Sequence, residues 1–134
     1  MVGGKTDKGV QKEVYEVNLT TLEFRLLKLD ESEAEMPAIA LHSCHLINND
    51  KELLIVGGCG ESTISQEILT INLATMKVMK FATLPLHLCA HSSIVVDNKY
   101  LLVNGGTNGQ YLLKEFLRLD LKTKDWTWLS TCPP

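Results

Sequence analysis

The chain has 134 residues, about one domain's worth, with 45% hydrophobic residues and a net charge of −3. That acidic balance excludes a protein that tracks phosphates with a basic stripe, so no direct nucleic-acid contact is expected. No apolar run approaches the ~20 residues that span a bilayer, the start Met-Val-Gly-Gly-Lys is unlike a signal peptide, and Val2 stands where N-myristoylation needs glycine, so no membrane contact is expected.

In chain order, the first feature is a glycine pair, Gly3-Gly4. Asn18, Leu19, Thr21 and Phe24 follow it. The acidic run 29–37 then reads as a solvated loop, with a contact for a basic partner as the alternative. His42-Ser43-Cys44 opens a strand, and Asn48-Asn49-Asp50-Lys51 turns the chain. Leu53-Leu54-Ile55-Val56 forms a second strand that ends at Gly57-Gly58. Residues 68–73 make a third strand and Val78-Met79-Lys80-Phe81 a fourth.

The same text then returns. His91 opens a strand that runs to Val96, and Asp97-Asn98-Lys99 turns it, because Asp and Asn tolerate positive backbone angles. Tyr100-Leu101-Leu102-Val103-Asn104 leads to Gly105-Gly106. A polar loop gives way to 116–121, where Leu117, Leu119 and Leu121 alternate with Arg118 and Asp120. Lys122-Thr123-Lys124-Asp125 turns the chain into Trp126-Thr127-Trp128-Leu129. The second strands are apolar on both faces, so a neighbouring copy of the same sheet must cover each side.

The three copies share one register. Fourteen residues after Gly4, Gly58 and Gly106 come Asn18, Asn72 and Asp120. Each is followed by a leucine, then by Thr21, Thr75 or Thr123, then by Phe24, Val78 or Trp126. A fixed register of this kind marks a tandem repeat. The glycine pair fits a place where another backbone comes close.

These residues resemble the kelch repeat. Leu102-Val103-Asn104-Gly105-Gly106, then Phe116-Leu117-Arg118-Leu119-Asp120, then Trp126 match its pattern well, and the His-Ser starts at His42 and His91 look like the opening of its first strand. The resemblance implies an all-β fold of kelch-type β-propeller blades, each of four antiparallel strands. Residues 1–30 would be a partial blade carrying the last strands, with blades at 31–83 and 84–134. Two and two-thirds blades fall short of the roughly four to eight of a closed propeller. The expectation is therefore a fragment of a larger ring, or a chain that self-associates to complete one. There are departures. Phe24 and Val78 stand where Trp126 does, and Leu69 and Leu117 where Tyr15 does. Ala40-Leu41 and Cys89-Ala90 precede the histidines, where adaptor-type kelch proteins have a rim arginine, so an Arg-lined pocket is not carried over.

The chemistry on offer is sparse. His87, Cys89 and His91 would share one face of a strand, near Cys44 and His45 of the neighbouring blade, but form no pair of zinc knuckles; no metal and no cofactor are expected. Ser43 and Ser92 follow histidines that the repeat itself explains, and Glu61, Glu67 and Glu115 have no partner carboxylate, so no catalytic residue is assigned. Gly57-Gly58-Cys59-Gly60 lacks the Lys-Ser/Thr of a phosphate loop. Cys44, Cys59, Cys89 and Cys132 read as reduced thilos of a cytoplasmic protein, with the nucleus as the other setting, and Asn18-Leu19-Thr20 as a chance glycosylation match.

What remains is a surface. The resemblance puts loops 59–66 and 107–113 and the lead-in segments 31–41 and 84–90 on one propeller face. The binding candidates there are Glu61, Ser62, Asn108, Gln110 and Tyr111. The expected function is a protein-binding module of an adaptor or scaffold, such as the substrate-reading part of a ubiquitin-ligase adaptor. The alternative is a propeller appendage of an enzyme such as the wybutosine tRNA methyltransferase, which 16–21 resembles weakly, with catalysis outside this chain. A propeller oxidase or sugar enzyme would need ligands on more blades.

Overall fold

The computed structural model describes residues 1–131; Cys132 and the end of the 84–134 unit lie outside the described residues. The described residues form strands and no helix. Strands β1 (Val2–Thr6), β2 (Gly9–Val17) and β3 (Phe24–Leu26) make one sheet. Strands β4 (Ser43–Ile47), β5 (Glu52–Val56), β6 (Glu67–Asn72) and β7 (Val78–Thr83) make a second. Strands β8 (Ser92–Val96), β9 (Tyr100–Asn104), β10 (Glu115–Asp120) and β11 (Trp126–Thr131) make a third. Among the described residues every pairing between these strands is antiparallel and joins sequence neighbours. The inner strands β4 and β8 approach each other, so the sheets stand side by side as partial propeller blades.

The turns follow from their residues. Asn48, Asn49 and Asp50 hold φ of 54°, 54° and 62° between β4 and β5, and Asp97 and Asn98 hold 53° and 51° between β8 and β9. The repeated Asn/Asp-Leu-x-Thr is a second turn, built the same way three times. Asn72 Oδ1 accepts from the N–H of Ala74 (2.9 Å) and Thr75 (3.0 Å), and Thr75 Oγ1 from that of Lys77 (3.4 Å). Asn18 repeats this with the N–H groups of Thr20 and Thr21, and Asp120 with those of Lys122 and Thr123. One residue per turn, Leu22, Met76 or Lys124, takes φ near 60°. Asn72→Ala removes the acceptor of two N–H groups. It should lower stability by about 1 kcal/mol, read as a shift of the urea midpoint.

The core lies between the sheets. Leu54, Val56 and Ile68 of the second meet Leu101, Val103, Leu117 and Leu119 of the third. Ile55, Leu69, Ile71 and Val78 face the first sheet, where Val14 meets them. The two apolar faces of β5 thus have the two neighbours the alternation demands. After the second and third Thr turns the repeated apolar residue points at the preceding sheet. Val78 is fully buried there, and Trp126 donates its indole N–H to the Thr83 carbonyl at 2.9 Å. Phe24 faces no sheet among the described residues and is 62% exposed.

Two expectations change. The lead-in segments are only partly exposed: Met36, Ile39 and Ala40 in one, and Leu84, Leu88 and Cys89 in the other, are buried, while Ser32, Glu33, Glu35, Ala38, Leu41, His87 and Ala90 face solvent. They wedge into the seams because each carries the apolar side chains that fill the gap between adjacent sheets. The first sheet also keeps more of its second strand than the repeat implied. Gly3 and Gly4 lie within β1, and Gly9, at φ 108°, lets Asp7-Lys8 turn directly into β2.

Candidate binding surface

Loops 59–66 and 107–113 leave the second and third sheets beside their own lead-in segments. Cys59 bridges Ala40 and Ile64, and Thr107 bridges Cys89 and Leu112. The loops touch: a Cβ added at Gly109 would lie 2.9 Å from Ile64 Cδ1. His87 donates from Nδ1 to the Ile64 carbonyl at 2.7 Å, tying the lead-in segment to the same place.

The candidates on these loops divide into two kinds. Glu61 spans to the first sheet, where its carboxylate accepts the Val10 N–H at 2.7 Å. Asn108 builds the loop: its Oδ1 accepts from Gln110 N–H (3.0 Å) and Tyr111 N–H (2.9 Å). Thr107 adds to this by donating to the Tyr111 carbonyl (2.8 Å) and accepting from Gly109 N–H (3.0 Å). Ser62, Gln110 and Tyr111 project outward, with Tyr111 68% exposed. Leu112, 86% exposed beside Tyr111, is a further surface residue. Its signal was an apolar residue next to a tyrosine in an otherwise polar loop.

Sequence reading also missed a polar seam between β4 and β8. Ser43 Oγ lies 2.8 Å from His91 Nε2 and 2.5 Å from Ser93 Oγ, and Ser93 Oγ lies 2.7 Å from His45 Nε2. The serine meets the histidine of the next sheet, not its own sequence neighbour, so no spacing in the chain marks the pair. His87, Cys89 and His91 do not share a strand face. β8 begins only at Ser92, and Ala90 at φ 53° bends the segment before it. Among the described residues no three His, Cys, Asp or Glu converge to hold a metal.

Burial lowers the pKa of His42 and His45. It drives that of His91 down to about 4, with His42 and His45 adding repulsion. The Nδ1 atoms of His42 and His91 are buried without a hydrogen-bond partner. A serine nucleophile needs a base titrating near working pH and oriented through its second nitrogen. His91 offers neither, so this chain of hydroxyls and imidazoles reads as a neutral seam. Burial pushes the Cys44 thiol up to about 11, and burial followed by the neighbouring Cys59 raises that of Cys89. Neither is an activated nucleophile.

The histidines make stability fall in acid. The unfolded chain takes up protons near 6.5 while His91 resists until about 4, so stability is fully present above 6.5 and is lost as pH falls towards 4. After screening of a partly exposed ring, the loss from His91 should be on the order of 2 kcal/mol. Thermal unfolding between pH 7 and pH 4.5 reads it, with a shallower pH slope expected for His91→Gln.

A family model described as the KLHDC2/KLHL20/DRC7 Kelch-repeats domain matches residues 1–133. The chain belongs to the kelch-repeat family. Kelch-repeat domains are generally protein-interaction modules. Among similar proteins, Adagio protein 3 of Arabidopsis thaliana is 33% identical over 95 residues, covering 64% of this kelch chain and 15% of that protein. Multiple epidermal growth factor-like domains protein 8 is 34% identical over 98 residues in Homo sapiens and 35% over 97 in Rattus norvegicus. Each of these two matches covers 70% of this chain and 3% of the relative. The kelch chain thus spans a small part of the relatives it matches.

Proposed function

We propose that this chain is a protein-binding kelch module of an adaptor or scaffold, and that it reads a partner through loops 59–66 and 107–113. One observation supports this most. Tyr111 and Leu112 are held outward by a loop whose backbone is fixed from within by Asn108 and Thr107. A rigid loop presenting an aromatic and an aliphatic side chain loses little entropy when it binds. Ser62 and Gln110 supply the polar rim. Glu61 and Asn108 act indirectly, by holding the loops in place. The proposal includes a cytoplasmic or nuclear setting, in which Cys44, Cys59 and Cys89 stay reduced.

The test is capture from a cell lysate with the chain as bait. Tyr111→Ala combined with Leu112→Ser should lose the captured protein while the urea midpoint stays unchanged. Asn98→Ala, in the turn between β8 and β9, should keep it. Equal capture by the loop variant, or loss confined to Asn98→Ala, would move the binding surface elsewhere.

A further inference from the structure

Two cysteines meet at the seam between the second and third sheets. The Gly58 N–H donates to the Leu88 carbonyl at 2.8 Å, and Cys59 and Cys89 are the residues that follow these two. Cys59 is pinned to Ala40 by backbone bonds in both directions, at 2.8 and 2.9 Å. Cys89 is pinned to Thr107 in the same way, at 3.1 and 2.9 Å. With their backbones fixed so, the two side chains touch and share a thiol–thiol hydrogen bond. Both are free thiols.

The repeat does not ask for cysteine at either place. Its register puts Lys5 and Thr107 where Cys59 stands, and Ala40 where Cys89 stands. The two thiols also differ in access. Cys59 is half-buried, whereas Cys89 is only 4% exposed. Burial, followed by the contact with Cys59, keeps the Cys89 thiol protonated at neutral pH. An oxidant therefore reaches Cys59 first, with Cys89 placed to resolve the product.

We infer that Cys59 and Cys89 form a reversible disulfide when the chain meets a peroxide, a redox lock that joins the second sheet to the lead-in segment of the third. The Cys59 thiolate attacks one peroxide oxygen and the O–O bond breaks. Cys59 becomes a sulfenic acid, and the departing hydroxide takes up the proton that Cys59 gave up. The Cys89 sulfur then attacks the Cys59 sulfur, the S–O bond breaks, and the hydroxyl leaves as water with the Cys89 proton. Over both steps the sulfur pair loses two electrons and two protons, and hydrogen peroxide becomes two waters. A small thiol such as glutathione restores the pair by exchange, so in a reducing setting it rests as two thiols. The bond ties residue 59 to residue 89 in the unfolded chain as well, which restricts that state and favours the folded one. The lock does not depend on what the loop face binds.

The test treats the intact, fully reduced chain with an equimolar amount of hydrogen peroxide, blocks the remaining thiols with N-ethylmaleimide, and reads the intact mass and the peptide map. The expected product is a monomer lighter by two hydrogens, with one bond between residues 59 and 89 that dithiothreitol reverses. Its urea midpoint should lie about 1 M above that of the reduced chain. Cys89→Ala and Cys59→Thr place at each site a residue that the repeat itself uses there. Cys89→Ala should stop at the Cys59 sulfenic acid, which dimedone labels, whereas the wild type should carry much less label. Cys59→Thr should form no such bond and take no label at Cys89. Neither variant should gain stability from peroxide. A bond mapped to another pair, cross-linked dimers as the main product, or oxygen added to Cys59 with no bond would overturn the inference. So would an oxidised chain whose midpoint is no higher than that of the reduced one.

Discussion

Gly58→Ala is expected to destabilise the chain by about 3 kcal/mol or more. An L-residue at positive φ costs ~1–2 kcal/mol, and forcing a methyl into a filled site costs ~1–3 more. Gly58 sits at φ 98°, and an added Cβ would lie 2.7 Å from both His42 Cβ and Ile39 Cγ1 and 2.9 Å from the Ala40 carbonyl oxygen. Two of those three atoms belong to backbone or to a Cβ and cannot rotate away. The lead-in segment would have to lift, and with it the seam to the first sheet. Gly4→Ala is the control. Gly4 has φ 109° but nothing within 4 Å of the added Cβ, so only the conformational term of ~1–2 kcal/mol remains. Urea unfolding of both variants measures the difference. Equal midpoints would show that the close approach at Gly58 carries no energy.

Leu88→Ala should have the next largest effect, a loss of about 3 kcal/mol within the ~2–5 range for buried leucines. Leu88 is 2% exposed and packs between the second and third sheets. Its backbone is clasped on both sides, by Gly58 and by Ser65, so the segment cannot collapse into the space the side chain leaves. Ile94→Ala removes an aliphatic side chain from the uncovered face of the third sheet. At 58% exposure, it should change stability by no more than about 0.5 kcal/mol. A Leu88→Ala variant as stable as Ile94→Ala would mean that the lead-in segments do not hold the blades together.

The parts of this fold that were legible in the sequence are those governed by local chemistry. Asn18, Asn72 and Asp120 stood out by their shared register, and each caps a turn in the same way because a side-chain oxygen two or three residues from the N–H groups it bonds works alike in any tertiary setting. The strands of the second and third blades were legible from alternation and from the Asn/Asp turns that bound them. The kelch pattern joined these into blades. What stayed hidden depends on neighbours in space. Ser43 and His91 are 48 residues apart and meet only because β4 and β8 are adjacent inner strands. The lead-in segments looked like surface loops, yet Met36, Ile39, Leu84 and Leu88 fill the seams, since an irregular segment carries no period to show which side chains turn inward. On the loop face, Glu61 and Asn108 drew notice as polar residues, and their hydrogen bonds hold the scaffold, while the exposure of Leu112 was overlooked.

Hydrogen exchange of three glycine amides tests the grip of the sheets on the lead-in segments most directly, because the chain supplies its own comparison. The Gly4 and Gly58 N–H groups are bonded to the carbonyls of Ile39 and Leu88, whereas no segment of the described residues takes that of Gly106. Exchange at Gly58 should be slow, close to that of the core strands, with Gly4 slowed as well, and exchange at Gly106 should be much faster. Equal rates at Gly58 and Gly106 would contradict the account that each blade is held to the next by its gripped lead-in segment.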